Sequence, residues 1–491
     1  MQDYQIIIPM SGFGERFRRA GYKTPKPLIS IEGLPIIQHV INMFPGEKDF
    51  IFICNENHIK NYQIDKILGN ICPTGRVSSI AEHKLGPVYA VSEALSKIDD
   101  NKQLIINYCD FFVYWKWDKF KDFIEKSNCD GALTCYRDFH PHTLGTTNYA
   151  YVRETNRNLI DIQEKKPFTN NRMQEFASSG TYHFKNKSIL SEAFEHMFEN
   201  KLNINNEYYV SLAYKYLIDN NYTTKIYPLQ HFFQWGTPED VSEYKYFSNM
   251  FKSINNQKKY EKVLEQKLII PAAGLGSRFK NEGYKEIKPL IKVSGKEMIV
   301  QSCSNISASE ACIISKKNVF EKDSFDFNFE YKIIELNEPT DGQATTAMLG
   351  IEKYLSSHID RDDNPITITA CDTSFTYDHK QFNALLNTDY DLIVWSIKGY
   401  PNSKRFPEMY GWLEESDDGT IKKVSVKKLI KDNTNNGIVL GTFTFKNAEI
   451  YSACYKSLVN RNGKVNNEYY IDELVNDAIA LGYNCKIFFV D

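Results

Sequence analysis

A chain of 491 residues, 42% of them apolar, has the length for two or three domains, each with a core of its own. Its net charge of −3 comes with no basic tract, which excludes nucleic-acid binding through a charged surface. No apolar run reaches the length of a membrane span, and the opening MQDYQIII has neither a charged n-region nor a cleavage site, so the expectation is a cytoplasmic protein. The ten cysteines are scattered, with no C-x-x-C pair. Several sit in apolar runs, such as IFICNE around Cys54 and ITACDT around Cys371, which predicts buried, reduced thiols.

In chain order, Ile6, Ile7 and Ile8 predict a short buried strand that breaks at Pro9 into the glycine loop Gly12-Phe13-Gly14. Arg16 follows the glycines, and Lys26 lies between Pro25 and Pro27. Glycines let backbone N–H groups approach a phosphate closely, and two cations nearby suit a triphosphate. Taken alone, a Gly-x-Gly also reads as an ordinary strand–turn–helix. A short strand over 28–31, a helix over 36–44, the strand FIFIC at 50–54 and a helix over 55–68 follow. Such alternation predicts a parallel sheet with helices on both faces, whose ligands bind beyond the carboxyl ends of the strands.

Residues 83–94, HKLGPVYAVSEA, place a glycine turn at Gly86 before an apolar helix. Residues 104–110, LIINYCD, run a buried strand straight into Asp110. A carboxylate at a strand's carboxyl end, opposite a phosphate loop, suits Mg²⁺; the plain alternative is an aspartate capping the next turn. A strand at 131–137 and a hairpin over 146–163, turning at 155–158, lead into Glu164-Lys165-Lys166-Pro167. That lysine pair is either a cation for an incoming phosphate or a solvated surface pair. Residues 248–266 are polar, Lys-rich and helical in pattern.

The glycine stretch occurs twice. Pro9, Gly12, Gly14, Arg16-Phe17, Gly21-Tyr22-Lys23 and Lys26-Pro27-Leu28 are matched by Pro271, Gly274, Gly276, Arg278-Phe279, Gly283-Tyr284-Lys285 and Lys288-Pro289-Leu290, all 262 positions further on. Asp110 and Asp372 keep the same spacing. Gly180 and Gly441, in SGTYHF and LGTFTF, and Glu207 and Glu468, in the two N-N-E-Y-Y stretches, are 261 apart. One register held over such a span is an internal duplication whose unit is a whole domain. The expected division is a first domain over 1–247, a helical linker over 248–266 and a second domain over 267–491.

A strand, G-x-G-x-R-F, a spacer of about ten residues and then K-P-L resembles the signature of the sugar-1-phosphate nucleotidylyltransferases, the NDP-sugar pyrophosphorylases of the nucleotidyltransferase superfamily. The small-alcohol-phosphate cytidylyltransferases share it. The resemblance implies an α/β fold: two tandem three-layer α/β/α, Rossmann-like domains of the nucleotide-diphosphosugar-transferase kind, with a mixed, mostly parallel sheet. It implies an enzyme that moves a nucleoside monophosphate from an NTP to a sugar 1-phosphate with release of pyrophosphate, forming a nucleotide sugar for capsule or lipopolysaccharide synthesis. Its partners would be the NTP and a phosphorylated small molecule, and its cofactor Mg²⁺ on Asp110 and Asp372. Gly12, Phe13, Gly14 and Gly86 would meet the nucleotide, as would Gly274, Leu275, Gly276, Gly342 and Gln343 in the second copy. Arg16, Lys26, Lys165 or Lys166, Arg278 and Lys288 would carry the catalytic charge. Glu164, Gly180, Glu207, Gly441 and Glu468 would line the acceptor pocket, although the two glutamates of N-N-E-Y-Y equally suit a helix cap.

The chain also departs from the family's pattern. Where members often carry a second metal-binding aspartate, two residues before Gly236, this chain has Gln234, a weaker ligand for a hard cation. The second copy has Val426 in the place of Glu164 while keeping Lys427 and Lys428, and it stops at Val490-Asp491, aligned with Leu229-Gln230, before any W-G-T-P stretch. Fusion of the copies suggests an internal pseudo-dimer. Three other readings stay open: a CTP-dependent enzyme acting on a small phosphorylated alcohol or amide, a glycosyltransferase of the related fold, and a non-catalytic nucleotide-binding second half. The glycosyltransferase would want a D-x-D motif, and the chain has Cys109-Asp110-Phe111 and Cys371-Asp372-Thr373 instead.

Overall fold

The computed structural model describes residues 3–145, 148–256, 266–274, 276–321, 325–356, 364–416, 419–431 and 435–490. It divides into two compact units, Met1–Phe247 and Ser248–Asp491. The helix Pro238–Asn256 begins before residue 248 and runs through the first half of the expected linker, whose remainder, from 257 to 265, lies outside the described residues.

In the first unit, the continuous apolar runs become strands covered on both sides. Ile6 and Ile8 enter one core cluster and Ile7 the other, all three fully buried. That double burial is why the run is unbroken rather than alternating. The sheet runs Arg76–Ile80, Phe50–Asn55, Tyr4–Pro9, Gln103–Asn107, Phe176–Phe184, Gly131–Tyr136, Thr224–Pro228. The first four are mutually parallel, Phe176–Phe184 is antiparallel to both neighbours, and the last two pair in parallel. The hairpin Ala150–Thr155/Asn158–Glu164 closes the edge through a turn at Asn156-Arg157, both with positive φ (51° and 65°), as a two-residue hairpin turn requires.

The second unit repeats this order with Glu330–Leu336, Glu310–Lys316, Lys267–Pro271, Ile366–Ile368, Ile438–Phe445, Leu392–Ile397 and Cys485–Phe489, and with the hairpin Gly411–Glu415/Ile421–Val426. Each unit is thus the mixed, mostly parallel α/β sheet expected. All ten cysteines are buried and unpaired. Among the described residues no helix is long and apolar enough to cross a membrane.

Several expected boundaries move. Lys26–Leu28 is a 3₁₀ turn, leaving only Ser30–Ile31 as strand, because Pro27 supplies no N–H to a ladder. The helix expected over 55–68 is two helices, Glu56–Tyr62 and Ile64–Ile71, broken at Gln63 in the left-handed region (φ 50°). The helix expected over 36–44 ends at Asn42.

Candidate functional site

In the first unit the strands Tyr4–Pro9 and Gln103–Asn107 are hydrogen-bonded neighbours, so their carboxyl ends deliver the glycine loop and Asp110 side by side. A cavity of about 570 Å³ opens there. Its walls hold Gly12, Phe13, Gly14, Arg16, Lys26, Gly86, Asp110, Glu164, Lys165, Gly180 and Glu207, every first-unit candidate except Lys166. Lys165 turns into the wall because it leaves the hairpin with φ 58°, its N–H held by the Tyr149 carbonyl at 2.8 Å; Lys166, the next residue, is exposed. Of the lysine pair, Lys165 is therefore the one at the cavity.

Gly14 takes φ 61° where the loop enters the short helix Glu15–Arg19. The next cation, Arg16, is exposed at the cavity, and no ion pair among the described residues holds it. Lys26 Nζ donates to Asp110 Oδ2 at 2.8 Å. Burial alone would lower the Lys26 pKa; the Asp110 carboxylate beside it outweighs this and raises it, so the ammonium stays charged. Positive charge at the cavity is thus held in an ion pair at Lys26 and exposed at Arg16.

Across the cavity, Lys165 Nζ donates to Tyr209 Oη at 2.6 Å and lies 3.9 Å from Glu207 Oε2, while the Tyr209 hydroxyl donates to Glu207. The helix after this stretch, Val210–Asp219, has no side-chain cap, so Glu207 orients Tyr209 and Lys165 rather than capping. The Asn205-Asn206 pair before it shapes the backbone instead. Both residues have positive φ (53° and 64°) and close a two-residue turn between Ile204 and Glu207. Glu164 accepts from Ser211 Oγ at 2.5 Å. Desolvation pushes its carboxyl up to about 7.

That shift has a stability consequence. Between about pH 4.5 and 7, unfolded Glu164 is ionised while the folded group keeps its proton, so stability falls as pH rises through this window. Glu164→Gln is expected to gain in melting temperature over the parent between pH 5 and pH 8. Parallel melting curves across that range would place Glu164 in ordinary solvent.

Gly86 and Gly342 have a structural role besides any nucleotide contact. A Cβ on Gly86 would stand 2.7 Å from the Tyr208 backbone N, and one on Gly342 2.4 Å from the Tyr469 carbonyl oxygen, at φ 86° and 135°. The chain docks through Tyr208 N–H to Leu85 O at 2.8 Å and Tyr469 N–H to Asp341 O at 2.7 Å. Gly342→Ala is expected to cost about 1–3 kcal/mol in backbone strain alone, read as a melting temperature several degrees lower. An unchanged melt would mean that the loop can move off Tyr469.

Gly236 bears on the metal. A Cβ there would stand 2.4 Å from Gln234 Nε2 and 3.2 Å from Asp110 Oδ2, so a side chain at 236 would displace the Gln234 amide from its place beside Asp110. Among the described residues no group of three His, Cys, Asp or Glu side chains converges. One carboxylate beside an amide still suits Mg²⁺, which keeps several waters and completes its shell with substrate phosphates. Asp240, by contrast, bonds Thr237 in the first turn of the following helix.

The second unit holds Lys288 and Asp372 as an ion pair, and Gly276 takes φ 58° before the helix Ser277–Asn281. Arg278, Gly274, Gln343 and Glu468 are exposed, and Leu275 lies outside the described residues. Gly441 accepts the Ala370 N–H at 3.1 Å, as Gly180 accepts that of Tyr108. Lys427 leaves its hairpin with φ 56° and donates to Tyr470 Oη at 2.8 Å, reproducing the Lys165–Tyr209 pair.

Sequence reasoning missed Tyr108, Tyr209, Ser211 and Lys84. Lys84 pairs with Glu15 at 2.7 Å, joining the 83–86 loop to the start of the helix that follows the glycine loop. The repeated Tyr209 and Tyr470 were visible signals; the others declare themselves only through contacts.

A family model described as nucleotidyl transferase matches residues 5–220. The bifunctional protein GlmU of Methanocaldococcus jannaschii is 26% identical over 238 residues, which are 48% of this chain and 52% of that protein. The GlmU of Buchnera aphidicola is 24% identical over 54% of each chain. The chain thus spans about half the length of the curated relatives it matches. Among solved structures, the nucleoside-diphosphate-sugar pyrophosphorylase of Vibrio cholerae is 20% identical, with a TM-score of 0.41 over 49% of this chain and 99% of its own. The inositol-1-phosphate CTP transferase of T. maritima is 14% identical, with a TM-score of 0.41 over 50% and 97%.

Proposed function

We propose, from the premise that residues 5–220 belong to the nucleotidyl transferase family, that the first unit is a nucleotidyltransferase acting on a sugar 1-phosphate. The observation that carries the reading is the meeting, in one cavity, of the glycine loop, the Lys26–Asp110 pair and the Lys165–Tyr209–Glu207 group. An oxygen of the acceptor phosphate attacks the α-phosphorus of the NTP; the bond from that phosphorus to the β-phosphate oxygen breaks, and pyrophosphate leaves. Little covalent work falls to the protein, so positioning and charge carry the rate.

In this reading the glycine loop and Arg16 hold the triphosphate, Lys26 meets the charge growing on the reacting phosphate, and Lys165 anchors the acceptor phosphate. Glu164, with Ser211, faces the acceptor's hydroxyl groups. Mg²⁺, held by Asp110 with the Gln234 amide beside it, would neutralise the phosphate oxygens and the departing pyrophosphate. The product is a nucleotide sugar, made in the cytosol for a surface polysaccharide. The second unit, which keeps Gly274, Gly276, Arg278, Lys288 and Asp372, binds a nucleotide of its own.

The test is pyrophosphate release from the full chain with each NTP against hexose 1-phosphates and small phosphorylated alcohols. The expected result is turnover with a hexose 1-phosphate. A kcat/KM that clearly favours CTP with a non-sugar phosphate would move the acceptor assignment to a phosphorylated alcohol, and no release from any pair would overturn the reading.

A further inference from the structure

The loss of Glu164 from the second copy is only half of an exchange. In the first unit Glu164 stands opposite Ala150 in the hairpin register and is bound by Ser211, in the first turn of the helix Val210–Asp219. In the second unit the same three positions are Val426, Gly411 and Asp472. Val426 again faces Gly411 in the register, and Asp472 lies in the first turn of the helix Ile471–Ala480. The carboxyl and the small partner have changed sides.

The geometry shows that the carboxyl keeps its place. A Cβ on Gly411 would stand 2.4 Å from Asp472 Oδ1, so the aspartate lies directly over the strand position next to Val426. Gly411 is what makes room, where Ala150 suffices under Glu164. Apart from its own backbone N–H, no described residue hydrogen-bonds Asp472, whereas Ser211 occupies one oxygen of Glu164. Lys427, beside Val426, holds Tyr470 as Lys165 holds Tyr209. A chain that merely lost a substrate contact would have no reason to place a half-buried carboxyl there from another element, since drawing one out of water with no side chain to bond it costs free energy.

A second difference widens the same wall. The Tyr108 ring lies 3.2 Å from where a Gly180 Cβ would be, and its hydroxyl accepts the Val210 N–H at 3.2 Å. The second unit has Ala370 there, against Gly441. The phenol that covers the helix start in the first unit is replaced at the aligned position by the methyl group of Ala370.

We propose that the second unit holds an acceptor site of its own for a phosphorylated sugar or polyol, in which Asp472 takes from the helix the hydroxyl-binding part that Glu164 takes from the hairpin. The proposal rests on the acceptor reading of the first unit and extends it: both halves bind a polyhydroxy phosphate, with Lys427 for the phosphate, Asp472 for the hydroxyls and a roomier wall at Ala370.

The test is calorimetric titration of the full chain with glucose 1-phosphate and with glycerol 3-phosphate. Four proteins are compared: the unaltered chain, Glu164→Gln, Asp472→Ser, and Asp472→Ser combined with Val426→Glu and Gly411→Ala. The triple variant rebuilds the first unit's arrangement in the second. Thermal melts establish that each is folded. Two equivalents of ligand are expected for the unaltered chain. Asp472→Ser should weaken one of them at least tenfold and the triple variant should restore it, a recovery that a purely structural role for Asp472 would not give. Unchanged binding in folded Asp472→Ser overturns the proposal. If Glu164→Gln then still loses an equivalent, the fault lies in the second site alone; if it also binds normally, the reading of both sites has failed.

Discussion

Lys26→Ala is expected to lower kcat/KM by about 10²-fold or more while leaving the protein folded. Lys26 stands in the wall of the first unit's cavity, 2.8 Å from Asp110, and that carboxylate keeps it charged against the pull of burial. A cation pre-set at the reacting phosphate needs no reorganisation when charge builds there, so its removal falls mainly on kcat. Alanine also frees Asp110, at a modest stability cost because both groups keep about a quarter of their surface exposed (25% and 22%). Near-parent turnover in a folded Lys26→Ala protein would mean that the Lys26–Asp110 pair is structural.

The second large effect is expected from Lys165→Met. Lys165 is held over the cavity by three restraints: its left-handed backbone, the Tyr149 carbonyl and the Tyr209 hydroxyl. A hydrogen bond to a charged group contributes about 1.5–3 kcal/mol, so removal should raise the acceptor KM about tenfold to a hundredfold and leave the NTP KM near its parent value. Tyr209→Phe, which keeps the ring under the ammonium but removes the hydroxyl, should give a smaller shift of the same kind. A rise confined to the NTP KM would move Lys165 to the nucleotide side.

How much of this was written in the sequence depends on the kind of contact involved. The strands were legible because burial on both faces leaves runs such as residues 6–8 and 104–107 with little or no polar interruption. The glycine loops and strand-end aspartates were legible because the chain states them twice. The helix break at Gln63 was not, since a left-handed glutamine leaves no glycine to mark it. Lys165 and Lys166 could not be told apart, because the choice is made by one positive φ after the strand. The roles of Asn205-Asn206 and of Gly86 lie in tight backbone geometry, which adjacent residue types hint at but do not specify. The exchange of Glu164 and Ser211 for Val426 and Asp472 was invisible as a pair, since its members are nearly fifty residues apart in each copy and meet only where the helix packs on the hairpin.

The second unit tests how far a site can drift while its parts stay together. Its charge pair, its left-handed glycine and its Lys–Tyr contact persist, while the groups that would read the acceptor have changed. Phosphate recognition uses backbone and fixed charge, which tolerate little change. Hydroxyl recognition needs only a carboxyl in the right place, and either element of the wall can provide it.

The most direct measurement is pyrophosphate release, titrated with Mg²⁺, in two single variants of the full chain, Asp110→Asn and Asp372→Asn. Asp110→Asn is expected to lose about 10²-fold or more of the turnover for the first unit's NTP–acceptor pair, together with its Mg²⁺ dependence, while Asp372→Asn keeps both. A folded Asp110→Asn protein with the parent's Mg²⁺ titration and full turnover on every pair would contradict the assignment of the reaction to the first unit, as would loss of all turnover in Asp372→Asn alone.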